Sequence, residues 1–94
     1  MKVFVDTNYF LRFLLEDNLP QYKKARELFL KASDGKIKLV TTGVVIFELY
    51  WVLAKYYKKT KKEVIFALKE ILNFVFLEIE HKDLLKESIY FYEK

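Results

Sequence analysis

A chain of 94 residues that is 53% hydrophobic, 18% aromatic and 32% charged has the material for one folded domain, which excludes a disordered tail or linker. With no cysteine it can build neither a disulfide framework nor a thiolate zinc site. A net charge of +4 and a pI near 9.2 permit contact with nucleic acid without requiring it. The opening Met1-Lys2 leads straight into a short apolar stretch ended by Asp6, so no signal peptide is expected. The longest apolar run, Leu39 to Ala54, carries Glu48 and is too short to span a bilayer comfortably. These features lead to an expectation of a soluble, cytoplasmic protein without a membrane segment.

In chain order, Lys2 to Asp6 lacks helical spacing and reads as a short buried strand. It is stopped by Asp6-Thr7-Asn8, residues that cap helices. A very apolar helix follows from Asn8 to Leu15, closed by Glu16-Asp17-Asn18 and Pro20. From Gln21 the pattern turns amphipathic, with Tyr22, Ala25, Leu28, Phe29 and Ala32 at three- and four-residue intervals. Ser33-Asp34-Gly35 ends that helix, Gly35 supplying a left-handed position. Ile37 to Thr41 predicts a second strand, and Thr42 caps a helix from about Gly43 to Tyr57. Apolar residues surround the axis of that helix, which predicts burial on most sides. Trp51 and the phenylalanines are expected in the core. Thr60-Lys61-Lys62-Glu63 has capping-box spacing and opens a helix with Val64, Ile65, Leu68, Ile71 and Leu72 on one face. Phe74 to Ile79 predicts a third strand, and Lys82 to Glu93 a last helix, apolar at Leu84, Leu85, Ile89, Phe91 and Tyr92.

The order is therefore β-α-α-β-α-α-β-α, an α/β class. Strands alternating with helices imply a short parallel sheet between two helical layers, α/β/α, joined by right-handed crossovers. Sites in such folds gather at the carboxyl ends of strands, where Asp6 falls.

Two acids stand out. Glu48 is the only charge between Lys38 and Lys55, in a stretch that otherwise predicts burial. An ionised carboxylate buried there costs several kcal/mol unless a cation or several donors compensate. Its simpler reading is a side chain on the one wet stripe of the helix. Asp6 reads, taken alone, as an N-cap stabilising by roughly 1 kcal/mol. Taken together, an acid ending the first strand and another within the helix after the second can converge on one crevice. Two like charges there call for a hard divalent cation such as Mg²⁺ or Mn²⁺, which prefers oxygen ligands.

Val5-Asp6-Thr7-Asn8-Tyr9-Phe10-Leu11-Arg12 resembles the opening signature of PIN domains, especially the VapC-like toxins of toxin–antitoxin pairs. A second match, Phe47-Glu48-Leu49-Tyr50-Trp51-Val52-Leu53, follows Thr41-Thr42 and the second strand. The resemblance covers essentially the whole chain in element order. It implies a metal-dependent endoribonuclease with Asp6 and Glu48 as catalytic, metal-binding carboxylates, Asn8 as a supporting polar residue and Thr42 as a nearby hydroxyl. It implies RNA as substrate and an antitoxin as protein partner. The family's third and fourth acids lie after the helix that ends here at Lys94. The expectation is thus a single PIN-like domain over residues 1–94 lacking its C-terminal part, with weak metal binding and weak or no activity. A catalytically inert PIN remnant serving as an interaction or dimerisation module is the alternative. Asp83, Glu87 and Glu93 match no family ligand. The first strand would also lose a flanking strand, so an exposed apolar edge and homo-oligomer formation are expected.

The densest basic stretch holds Lys55, Lys58, Lys59, Lys61 and Lys62, with Tyr56 and Tyr57 among them. One reading is RNA contact, with tyrosines available for stacking. The simpler one is a set of cations offsetting a helix dipole and solvating a turn. His81, the single histidine, reads as a turn or cap residue.

Overall fold

The computed structural model describes residues 1–93. Three strands, β1 (Lys2–Phe4), β2 (Lys38–Thr41) and β3 (Leu77–Ile79), form a parallel sheet in the order β1-β2-β3. Five helices connect and cover them: α1 (Thr7–Leu15), α2 (Leu19–Ser33), α3 (Gly43–Trp51), α4 (Lys61–Leu72) and α5 (Lys82–Glu93). A π-helical turn, Val52–Tyr56, extends α3. This is the expected α/β/α arrangement, element for element. Among the described residues no helix is long and apolar enough to cross a membrane.

The register pairs Val3 with Leu39 and Leu39 with Leu77, three consecutive strands aligned at their centres. Parallel strands alternate their backbone groups between the two sides. Met1 and Val5 bond to Lys38 and Val40 of β2, so Lys2 and Phe4 direct their backbone groups to the open edge. The Phe4 side chain, on the face of the sheet opposite Val3 and the buried Val5, is exposed. Beyond the strand, the Thr41 hydroxyl donates to the Val5 carbonyl at 2.8 Å. Thr41 is the buried polar residue of the core, and this bond pins the chain to β2 immediately before Asp6.

The helix ends follow local chemistry. Asp6 caps α1, accepting from the Tyr9 N–H at 3.1 Å. Asn18 caps α2, and Gly35, at φ 79°, takes the left-handed position that lets Lys36 bond back to Lys31 at 3.0 Å. Both halves of the α4 capping box form: Glu63 N–H to Thr60 Oγ1 at 3.2 Å, and Thr60 N–H to Glu63 Oε1 at 2.9 Å. His81 occupies a left-handed turn position before α5.

Several expectations need correction. The third strand is only Leu77–Ile79, because Phe74 and Phe76 stack on each other at 5.0 Å and pack on Phe29. Phe13 completes that cluster from α1. Lys82 Nζ holds the bent segment by donating to the carbonyls of Phe74 and Leu77, and partial burial lowers its pKa. On α5, only Ile89 is buried and Leu85 half-buried, while Leu84, Phe91 and Tyr92 are exposed. The expectation of a helix buried on most sides also fails for α3: Val45, Ile46 and Leu49 face the core, whereas Val44, Phe47 and Trp51 are exposed. No described element covers the outer face of α3. Phe4, Phe66 and Phe91 lie at the surface as well, so the aromatic residues are divided between core and exterior.

Candidate functional site

Two buried anchors bring α1 and α3 together. Phe10 on α1 and Leu49 on α3 are fully excluded from solvent in one continuous core, each burial favouring the fold by roughly 1.5–3 kcal/mol. Where the two helices meet, a cleft of about 500 Å³ opens. The start of α1 contributes Asp6, Thr7, Asn8 and Leu11; α3 contributes Glu48 and Trp51; the π turn and its exit contribute Val52, Tyr56 and Tyr57.

Asp6 and Glu48 thus line the same cleft. Asp6 arrives there because β1 ends at Phe4 and the helix cap needs an acceptor at position 6. Its Oδ1 receives the Tyr9 N–H, leaving Oδ2 outside that bond. Glu48 is exposed, not buried as its neighbours in sequence suggest, because it lies at the margin of the core face of α3, on the flank that meets the start of α1. Its Oε2 accepts the Thr7 hydroxyl at 3.0 Å, a link that joins the two helices. Thr7 is the participant that sequence reasoning passed over. The signal available was a hydroxyl flanked by polar residues at a helix start, but its partner is visible only in the packed structure.

Asn8 lines the cleft, exposed. Thr42 does not line it; its side chain caps α3 by accepting from the Val45 N–H at 3.3 Å. None of the five lysines lines the cleft either. Lys59 and Lys62 border a separate, more apolar groove of about 460 Å³ with Leu14, Leu15, Leu53 and Phe66. Lys61 sits over the Tyr92 ring at 4.7 Å. Lys55 and Lys58 are exposed, with Lys58 in a left-handed conformation that ends the π turn.

The donor set suits a hard cation. Both acids present carboxylate oxygens to an open, water-accessible cleft, and Asn8 adds an amide carbonyl. Among the described residues no group of three or more acidic, histidine or cysteine side chains is placed to hold a metal, so the protein would contribute two carboxylates and water the remainder. The second groove also has two acids on its lining, Glu63 and Glu70, but it is the more apolar of the two, and Glu63 there caps α4 through Oε1.

This fold is that of an α/β protein with an acid after the first strand and another on the helix after the second, both lining one cleft. Residues 3–88, nearly the whole chain, match the PIN domain model, and the chain belongs to the PIN domain family. Members of that family are in general divalent-metal-dependent nucleases that bind RNA. Neither the curated proteins nor the solved structures yield a match.

Proposed function

We propose that the chain is a metal-dependent endoribonuclease acting in the cytoplasm as the toxin of a toxin–antitoxin pair. Asp6 and Glu48 are its metal-binding, catalytic carboxylates. The observation that carries this reading is their presence in one open cleft despite lying at opposite ends of the β1-to-α3 segment. Mg²⁺ or Mn²⁺ bound there supplies charge neutralisation at a phosphate and a lowered pKa for water. The chain's own residues do the rest. Thr7 holds Glu48 in the cleft through its hydroxyl. The α1 cap fixes Asp6 at the helix N-terminus, where its carboxylate accepts from the Tyr9 N–H. Thr42 supports the site indirectly by fixing the start of the helix that carries Glu48. Asn8 offers the substrate or metal a further polar group.

The test is cleavage of single-stranded RNA with Mn²⁺ by the purified chain beside Asp6→Asn and Glu48→Gln. Asparagine caps a helix about as well as aspartate, so loss of activity in Asp6→Asn reports chemistry and not unfolding. Cleavage that stops in both variants and in chelator supports the proposal; equal cleavage by all three proteins overturns it.

A second reading, an inert PIN domain serving as an interaction module, is favoured by the two-acid cleft and by the uncovered Val44 and Phe47 of α3. Under it, metal-dependent cleavage is absent while association persists. Homo-oligomer formation through the open edge of β1 belongs to both readings, since the backbone groups of Lys2 and Phe4 there seek partners. A single monomeric species at all concentrations in sedimentation equilibrium would rule it out.

A further inference from the structure

Trp51, Tyr56 and Tyr57 line the same cleft as Asp6 and Glu48. Their rings are not core residues displaced to the surface by accident of packing. Trp51 is 54% exposed and Tyr56 74% exposed, in a site that also holds Asp6, Thr7, Asn8 and Glu48. Trp51 makes no ring contact among the described residues, while Tyr56 and Tyr57 meet edge to face at 5.0 Å. The backbone is shaped to produce this. Between Trp51 and Tyr57 the helix widens into a π turn, closed by a bond from the Tyr57 N–H to the Val52 carbonyl at 3.1 Å. A regular α-helix would rotate successive side chains by a larger step. The inserted turn carries Tyr56 and Tyr57 to the cleft that already holds Trp51 one turn earlier, and π turns of this kind recur at functional sites.

We propose that these three aromatic side chains are a stacking subsite for unpaired nucleobases, beside the carboxylates that face the phosphate. The inference rests on the nuclease reading for its ligand class and extends it with a site for the bases. Three observations favour a nucleic acid over another occupant. The aromatic wall adjoins an acidic pair suited to a phosphate-bound cation. Lys55 and Lys58, exposed beside Tyr56 and Tyr57, supply the charge a phosphate backbone needs. The cleft volume falls within the roughly 300–1,000 Å³ of sites for small ligands, enough for a base and too small for a folded domain. Every base has an apolar face, so such a wall selects unpaired strands with little preference for sequence, and it rejects a duplex whose bases are already stacked.

Trp51 is the single tryptophan of the chain and reports directly. With chelator present, so that no cleavage occurs, a short oligoadenylate is expected to quench its fluorescence saturably. The same strand annealed to its complement, and an abasic ribose-phosphate strand of equal length, are expected not to. By anisotropy of a labelled strand, Trp51→Ala and Tyr56→Ala should each weaken binding by about five- to a hundredfold, with the slope of affinity against salt unchanged. Trp51→Phe, which keeps a ring, should restore most of the affinity. Lys55→Gln should instead reduce the salt slope by about 0.7 if it contacts one phosphate. Quenching equal for the abasic strand, or affinity unaltered in Trp51→Ala with folding verified by its melting curve, overturns the proposal. Because these measurements exclude metal, they separate from the cleavage test. Stacking without cleavage leaves the subsite standing and removes the nuclease reading; cleavage dependent on Asp6 and Glu48 without quenching does the reverse.

Discussion

Helices α3 and α4 contain similar apolar side chains and use them in opposite ways. In α4, Val64, Ile65, Leu68, Ile71 and Leu72 are all buried and the lysines and glutamates point outward, so periodicity and burial coincide. In α3, nearly every residue is apolar, yet only Val45, Ile46 and Leu49 enter the core. Val44, Phe47 and Trp51 are left in solvent, with Glu48 among them. A helix that carries more apolar surface than its packing consumes holds that surface for contact with something else. In α3 the surplus includes Trp51 on the acidic cleft, whereas in α4 it is confined to Phe66. The capped, amphipathic helix supports the fold, and the uniformly apolar one carries the site.

The contrast is sharpest when tested within α3 itself. Leu49→Ala removes a fully buried side chain and should cost about 2–5 kcal/mol in urea unfolding. Phe47→Ala, two residues away and 67% exposed, should change stability by about 0.5 kcal/mol or less despite deleting a larger side chain. Comparable losses for the two would mean that the outer face of α3 is covered in solution, and the division between its faces would have to be abandoned.

A smaller effect is expected at Thr41, whose hydroxyl ties the end of β1 to β2 beneath the cleft. Thr41→Val keeps the shape but leaves the Val5 carbonyl without that donor, at a cost of about 1–3 kcal/mol. Because the lost bond lies directly before Asp6, the variant should also weaken Mn²⁺ binding, measured by titration calorimetry. A stability loss with unchanged metal affinity would show that the α1 cap alone positions Asp6.

The fold was legible from the sequence because its signals are local. The Thr60–Glu63 capping box, the Gly35 stop and the period of α2 each declare themselves within a few residues. The site was legible in part. Asp6 could be found from its place after a strand, and Glu48 from its isolation among apolar neighbours. Of the two readings of that isolation, a compensated buried charge and a wet stripe on the helix, the structure bears out the wet stripe, on the flank of α3 that meets α1. A helix with apolar residues all round gives periodicity no stripe to detect, so which face is uncovered is decided only by what the rest of the chain supplies. The same blindness hid Thr7, whose partner lies 41 residues away. It hid the π turn too, since no residue type marks a widened turn. Phe74 and Phe76 misled differently: strand-forming aromatics were drawn into a ring cluster with Phe13 and Phe29.

On the other side of the comparison, α4 should respond to its caps and not to the cleft. Thr60→Ala deletes one bond of the capping box and should cost roughly 1 kcal/mol, with metal and RNA binding unaffected. A change in metal affinity would mean that the two helices are energetically coupled through the π turn between them.

The smallest effect expected is the pH dependence of the same cap. The backbone N–H of Thr60, and then its hydroxyl, hold the Glu63 carboxyl below its ordinary value of 4.5. The folded chain therefore binds that proton less tightly than the unfolded chain does. The ionised carboxylate's contribution is present in full above the ordinary range and disappears as the pH falls through the lowered value. Glu63→Gln keeps an acceptor for the Thr60 N–H but has no proton to gain. Its stability should fall less steeply than that of the parent between about pH 5 and the acid limit, when urea midpoints are compared across a pH series. Other carboxylates titrate in that window in both proteins, so the difference between the two curves isolates Glu63. Curves that run parallel through the acid range would mean the cap bonds are as strong to the neutral acid as to the carboxylate. The α4 start would then owe its stability to Thr60 alone.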